Sequence, residues 1–257
     1  MISRKRGLLR TPFFDAIKQM VMSPPPLPQF RPSINLMEMH MNNALATQET
    51  KAPAGFTVMG VRSKSSSQGA EFAFELITSR QNTSPKRLVD PGPDSHQLDV
   101  ILTTAAAAPD HGLLRPWRLV MVPTHRRIDL AEAFALALID RDPCANLVQI
   151  EDAREKAHRA PCLMLAVARL GSCEPPIQEL ERMICMGAAV QNILLSAHCF
   201  GLGSSLTSGQ AMGSQRMRTL FNLSADEEAV CFINIGTVSK PKTPRRRPLM
   251  DNFLSSL

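Results

Sequence analysis

The sequence lacks a long apolar run and lacks cysteines at metal-binding spacing. No stretch of the 257 residues approaches the roughly 20 consecutive apolar residues that a membrane-spanning helix needs, so we expect no integral membrane span. None of the six cysteines forms a C-x-x-C pair, which argues against a zinc knuckle. Cys162 and Cys231 lie within apolar runs. They predict buried free thiols, a reducing compartment and therefore a cytoplasmic location.

Several common catalytic motifs are also missing. The chain contains no G-x-S-x-G nucleophile elbow, no H-E-x-x-H zinc motif and no Walker loop. Four of the histidines show no ligand spacing, namely His96, His125, His158 and His198. The sequence therefore predicts no metal site and no catalytic nucleophile.

The positive charge is concentrated in residues 1–70. That segment holds nine Lys and Arg against three Asp and Glu, whereas residues 71–257 hold twenty of each kind. Residues 1–70 also carry seven of the 20 prolines and seven of the 14 methionines. This composition predicts a disordered basic leader, ending in a linker over 63–68 and carrying a short amphipathic helix over 4–21. A mitochondrial-type presequence, or an extension ahead of a true start at Met59, would fit equally well. We expect one folded domain over 71–257.

Helices and strands mix in that domain without strict alternation, which favours an α+β fold over a doubly wound sheet. Apolar spacing predicts helices through Phe72–Ile77, from an N-cap at Ser95 to 105, over 127–139, over 179–199 and over 214–221. Gly201 is expected to end the longest helix. Continuous apolar runs predict strands over 117–122, 162–168 and 230–235.

The loop after the first helix has the chemistry of a phosphate site. It reads S-R-Q-N-T-S-P-K-R-L over 79–88. A dianionic phosphate prefers a planar guanidinium together with hydroxyl or amide donors. Candidate side chains of those types are Arg80, Gln81, Asn82, Ser84 and Arg87. An ordinary polar turn is the alternative interpretation.

Three further segments are informative when they are taken together with the loop over 79–88. They are A-P-D-H-G-L-L-R-P-W-R over 108–118, then G-A-A-V-Q-N with G-L-G-S-S-L-T-S-G over 187–209, and I-N-I-G-T-V-S-K-P-K over 233–242. Together with the first loop they resemble the FMN-dependent nitroreductase family, most closely its compact NAD(P)H nitroreductases. The resemblance covers about residues 72–254. It departs from the family where Gln81 replaces a second Arg, Arg115 replaces Gln and Leu206 replaces Trp.

The resemblance implies a fold and a site. The fold is a three-layer sandwich in which helices flank a mixed, mostly antiparallel sheet, with the long helix at a homodimer interface. FMN would lie between the subunits. The residues that match its contacts are Arg80, Gln81, Asn82, Ser84, His111, Arg115, Leu206, Thr207, Ser208 and Lys240, with Lys242 an alternative to Lys240. The run Arg245–Arg247 is expected to be a solvated turn, and 248–254 an arm on the partner.

The implied activity is ping-pong reduction of nitroaromatics, quinones or similar electrophiles by NAD(P)H. The flavin N5 would carry the hydride, so no protein residue is expected to be catalytic. A flavin protein of the same fold with other chemistry, such as flavin destruction or reductive dehalogenation, is one alternative. Another is a non-enzymatic protein that contacts nucleic acid or membrane through its basic leader. Nucleic-acid binding is the less favoured interpretation.

Overall fold

The computed structural model describes residues 66–257. The leader and the amphipathic helix predicted within residues 1–65 lie outside the described part. The linker predicted over 63–68 is wrong in its last three residues, because the first described helix already begins at Ser66. No helix of the described part is long and apolar enough to cross a membrane.

Eleven regular elements follow one another along the described residues. The helices are α1 (Ser66–Ser79), α2 (Ser95–Ala105), α3 (Arg127–Arg141), α4 (Leu147–Glu155), α5 (Glu179–Cys199) and α6 (Gln215–Leu220). The strands are β1 (Leu88–Val89), β2 (Trp117–Met121), β3 (Cys162–Arg169), β4 (Gly203–Thr207) and β5 (Glu227–Val238).

The strands form one antiparallel sheet around β5. On one side β5 pairs with β3, which in turn pairs with β2. On its other side β5 pairs first with β4, from Phe232 to Gly236, and then with β1, at Thr237 and Val238. Strand β4 is consequently an edge strand, and its start lies close to the short β1.

Helices cover both faces of this sheet. Successive side chains of a strand point to opposite faces. Met164 and Ala166 of β3 pack with α2 and α5, while Leu163 and Leu165 pack with α3 and α6. Every residue of β3 except the last is buried, which explains its uninterrupted apolar sequence. The three-layer α+β sandwich predicted from the sequence is confirmed.

The end of α5 fixes where β4 begins. Gly201 adopts a left-handed φ of 74°, and its N–H donates to the His198 carbonyl over 2.9 Å. The N–H of Leu202 donates to the Ala197 carbonyl over 3.0 Å. These two bonds make a Schellman motif, in which glycine relieves the strain of the positive φ. The chain turns there and enters β4 two residues later.

Two local predictions need correction. Asp94, not Ser95, caps α2, because its carboxylate accepts from the N–H of Gln97 over 2.8 Å while Gln97 bonds back to the Asp94 N–H. Helix α4 was not expected. Its first residues, Leu147 and Val148, are exposed, so it lacks the apolar spacing that marks a buried helix face.

Candidate functional site

Two arginines from distant parts of the chain meet just beyond α1. The Nη2 group of Arg247 donates to the backbone carbonyl of Arg80 over 2.7 Å. Partial burial, and then the positive charge of Arg247, lower the pKa of the Arg80 guanidinium from its ordinary value. Within residues 66–257, neither guanidinium forms an ion pair with a carboxylate. This pair of cations therefore favours an anionic ligand.

The loop that carries Arg80 is attached to the beginning of β4. The N–H of Thr83 donates to the Ser204 carbonyl over 3.0 Å, and Asn82 forms a parallel bridge with Ser204. A Cβ atom at Gly203 would lie 2.5 Å from Cγ2 of Val238 and 2.8 Å from Cδ2 of Leu88. Glycine at position 203 therefore allows the loop, β4 and the end of β5 to meet.

We call the place where the loop over 79–88, the start of β4 and the end of β5 meet the Arg80 corner. The chain after β5 closes this corner. Ser239 donates to the Arg87 carbonyl from its N–H over 2.9 Å and from its hydroxyl over 3.1 Å. Lys240 follows at this end but its side chain is exposed. Residues 245–247 are all exposed, as expected of a solvated turn, but the Arg247 guanidinium also contacts Arg80.

The end of α5 contributes a histidine to this corner. Oγ of Ser79 lies 2.9 Å from Nε2 of His198. Burial, followed by the charge of Arg80, lowers the pKa of His198. Sequence spacing gave no reason to single out His198, because its neighbours at the site come from α1 and from the loop that follows it.

Strand β4 presents an open edge beside the arginines. The Ser204 carbonyl faces Thr83 and not β5, and backbone groups that point to one side recur at every second residue of an antiparallel strand. The N–H and C=O of Leu206 therefore face the same open edge. Among the described residues, β4 pairs only with β5 and, at Ser204, with Asn82.

The side chains near the open edge of β4 lie on different faces of the strand. The Leu206 side chain is 42% exposed, whereas the Thr207 hydroxyl accepts a 3.0 Å hydrogen bond from buried Asn234. Ser208 follows the strand and is exposed. Seven of the residues predicted to contact FMN belong to the loop after α1, to β4 or to the residue that follows β4: Arg80, Gln81, Asn82, Ser84, Leu206, Thr207 and Ser208. Lys240 comes one residue after Ser239, whose contact with the Arg87 carbonyl closes the Arg80 corner.

The remaining two predicted contacts lie elsewhere. Nδ1 of His111 is 2.5 Å from Oε1 of Glu181, in the first turn of α5. The Arg115 N–H donates to Oδ2 of Asp110 over 2.8 Å, so its backbone pairs with that carboxylate and its side chain remains exposed. His111 and Arg115 therefore belong to the N-terminal end of α5.

The two groups stand at opposite ends of one helix. Glu181 and His198 are 17 residues apart, which corresponds to about 25 Å along an α-helix. That separation exceeds the length of one FMN molecule. A single protomer does not bring His111 to Arg80.

Comparison with known proteins identifies the family. The sequence profile of the Nitroreductase family matches residues 80–237, more than half of the chain. A Haemophilus influenzae protein is 27% identical over 64% of this chain and 88% of its own length. An Escherichia coli K12 protein is 30% identical over 64% of this chain and 87% of its own length. Both carry the name "Putative NAD(P)H nitroreductase", with the suffix YdjA in E. coli.

Solved structures agree on the fold. A nitroreductase-like protein from Bacillus cereus superposes with a TM-score of 0.63 at 18% identity, over 72% of this chain and 95% of the other. NfrA1 of B. megaterium gives a TM-score of 0.57 at 14% identity, over 72% and 74%. The profile match, the relatives and the three-layer architecture agree: this chain belongs to the nitroreductase family of oxidoreductases.

Proposed function

We propose that the chain is an FMN-dependent NAD(P)H oxidoreductase that reduces nitroaromatics, quinones or related electrophiles by a ping-pong mechanism. The observation that carries the proposal is that Arg247 donates to the backbone carbonyl of Arg80, which brings two positively charged side chains to one place. Neither has a carboxylate partner in the described part of the chain, as expected of a site that is built for a phosphate. The family match and the names of the two bacterial relatives support the same activity.

The residues at this corner fit the parts of FMN. Arg80 and Arg247 would bind the phosphate, with Asn82 and Ser84 of the same loop as neighbouring donors. The open backbone of Leu206 would offer an N–H and a carbonyl to the polar edge of the ring. Thr207 and Ser208 lie beside that edge. Bound FMN would supply the transfer of hydride between NAD(P)H and the acceptor.

The chain's own contribution is to bind and orient the cofactor. Arg80 and Arg247 hold positive charge at one end of the site, and the partial burial of Arg80 strengthens its attraction for an anion. Gly203 keeps the loop and the strand in close contact, so the donors stay at fixed positions. No side chain needs to act as a strong acid or base in this scheme.

We further propose that the site is completed by a second copy of the chain. Leu180, Ile184 and Gly187 lie at positions i, i+4 and i+7 of α5, and all three are exposed. The C-terminal arm exposes four more large apolar side chains, at Leu249, Met250, Phe253 and Leu254. A soluble monomer seldom exposes so many apolar side chains.

A two-fold dimer would bring together the two groups of predicted FMN contacts that lie far apart within one protomer. If two α5 helices pack antiparallel through this stripe, the His111 end of one protomer approaches the Arg80 end of the other. His111 and Arg115 would then contact the flavin held by the second subunit.

The domain over 71–257 would be the FMN-binding unit. All six cysteines are free, which fits a reducing, cytoplasmic setting.

The test is a visible spectrum of the purified full-length protein. We expect a yellow protein that releases FMN on heating and loses its colour when NADH or NADPH is added under argon. A protein that binds FMN but keeps it oxidised under NAD(P)H would indicate other flavin chemistry. A colourless protein that takes up no added FMN would contradict the proposal.

A further inference from the structure

The side chain of Glu181 contacts the predicted flavin ligand His111. Its Oε1 atom lies 2.5 Å from Nδ1 of His111, although the two residues are 70 positions apart in the sequence. Glu181 belongs to the first turn of α5, so a rigid helix carries it. Within one protomer the two side chains are 48% and 64% exposed.

The contact determines which ring nitrogen carries hydrogen. An ionised carboxylate only accepts hydrogen bonds, so the Nδ1 atom of His111 must be the donor. The partner of one ring nitrogen sets the tautomer of the whole imidazole. Nε2 is then the nitrogen left to bond with another molecule, and the ring plane is held by the helix.

The backbone around His111 is fixed independently. Gly112, Leu113 and Arg115 all have positive φ values, of 73°, 53° and 45°. The turn is closed by the Arg115 N–H, which donates to Oδ2 of Asp110 over 2.8 Å. A Cβ atom at Gly112 would lie 3.0 Å from Cγ of Pro175. Asp110 thus holds the loop, whereas Glu181 holds the imidazole ring.

We propose that Glu181 is a positioning residue for cofactor binding. It holds His111 in the Nδ1–H tautomer and presents Nε2 to the flavin that the Arg80 corner of the second subunit binds. This inference rests on the proposed function, because it requires a flavin between two subunits. In the paired molecule the contact lies beside the apolar stripe of α5, where less water competes for the carboxylate.

Glu179 provides a matched control. It is the other glutamate in the first turn of α5, it is also exposed, and its side chain forms no hydrogen bond or ion pair with a described residue. Glu181→Ala and Glu179→Ala therefore remove the same charge from the same helix terminus. Only the first of these substitutions removes the contact with His111.

The first measurement needs no cofactor. Nitrogen-15 NMR of the flavin-free protein reports the tautomer of His111. We expect Nδ1–H in the wild-type protein, a shift towards Nε2–H in Glu181→Ala, and the wild-type pattern in Glu179→Ala. Glu181→Gln keeps an acceptor oxygen and should restore most of the wild-type signal. An unchanged tautomer in Glu181→Ala would overturn the proposal.

The second measurement uses the FMN-loaded protein. We expect Glu181→Ala to raise the Kd of FMN by about two- to fivefold, the range typical of a partly exposed ion pair, and to shift the flavin absorption bands. Glu179→Ala should change neither quantity, and equal effects in both variants would overturn the inference alone. A wild-type protein that binds no FMN would overturn the proposed function and this inference together.

Discussion

Arg247 donates a 2.7 Å hydrogen bond to the backbone carbonyl of Arg80, 167 positions earlier in the chain. The segment just before the C-terminal arm thereby reaches back to the loop that follows α1. Burial, and then the positive charge of Arg247, lower the pKa of the Arg80 guanidinium from its ordinary value. An arrangement of this kind is stabilised when an anion lies between the two guanidinium groups.

Removing either arginine should weaken FMN binding without unfolding the chain. Arg80→Ala and Arg247→Ala each remove charge-assisted hydrogen bonds to the phosphate, so we expect Kd for FMN to rise by about ten- to hundredfold. Fluorescence titration of flavin-free protein measures this change. Arg246→Ala is the control, because Arg246 forms no hydrogen bond or ion pair with a described residue, so its loss should leave the affinity unchanged. Equal losses in all three variants would indicate a diffuse charge effect.

The Arg80 corner also shows which features of the site can be predicted from the sequence alone. The loop over 79–88 and the strand over 203–207 could be matched to family motifs, because local residue types specify them. The role of Arg247 was not predictable, since three consecutive arginines look alike until the fold selects one. His198 and Glu181 were missed for the same reason: each acquires its partner only through tertiary packing.

Elsewhere the fold followed from apolar patterning. The bounds of α5 matched the prediction because 21 residues keep helical spacing and a glycine follows two residues after the last of them. Helix α4 could not be predicted from apolar spacing, because its exposed leucine and valine break the pattern of a buried face. The separation of His111 from Arg80 within one protomer depends on the length and direction of α5, which no local motif encodes.

Subunit pairing can be tested at Gly187. A Cβ atom there meets nothing within 4 Å in one protomer, so Gly187→Lys should leave the fold intact and improve helix propensity. In the proposed dimer it places a charge in the apolar stripe. We expect the dimer dissociation constant to rise by at least about tenfold, with parallel loss of FMN.

Sedimentation and flavin content measure the two effects. Gly213→Lys is the control, because Gly213 is also unobstructed but precedes α6, which packs on the other face of the sheet. A Gly187→Lys protein that stays dimeric and fully yellow would contradict pairing through this face of α5.

Arg127 should contribute to stability and not to cofactor binding. Its buried guanidinium donates to four backbone carbonyls, one directly after β2 and three in the segment that leads into β3, namely those of Val122, Ala157, Arg159 and Pro161. Arg127→Leu leaves these carbonyls without a donor, so we expect the free energy of unfolding to fall by about 3 kcal/mol. Thermal or urea denaturation measures the loss.

The neighbouring residue gives the comparison. Arg126 is exposed and pairs with Asp129 one turn away, so Arg126→Leu should change the free energy of unfolding by less than about 0.5 kcal/mol. Destabilisation of similar size in both variants would show that the buried network is not the cause.

Two buried thiols should make the protein sensitive to alkali. Burial raises the pKa of Cys162 and of Cys231 from 9.0 to about 11. Because unfolded thiols lose their protons first as pH rises, the free energy of unfolding should fall between about pH 9 and pH 11. Replacing both cysteines with alanine should flatten this slope. Cys144→Ser, at an exposed position, should not.

Labelling gives an independent measurement of the same thiols. At mildly alkaline pH a thiol reagent should modify exposed Cys144 quickly, and Cys162 and Cys231 only slowly, because burial withholds both access and thiolate. Rapid modification of Cys162 in the folded protein would contradict this account.

Equilibrium titration of the flavin-free, full-length protein with FMN is the decisive test of the proposed cofactor site. We expect saturable binding at micromolar or lower concentration, with one FMN for each chain and two for each dimer. A well-folded protein that shows no binding at these concentrations would contradict it.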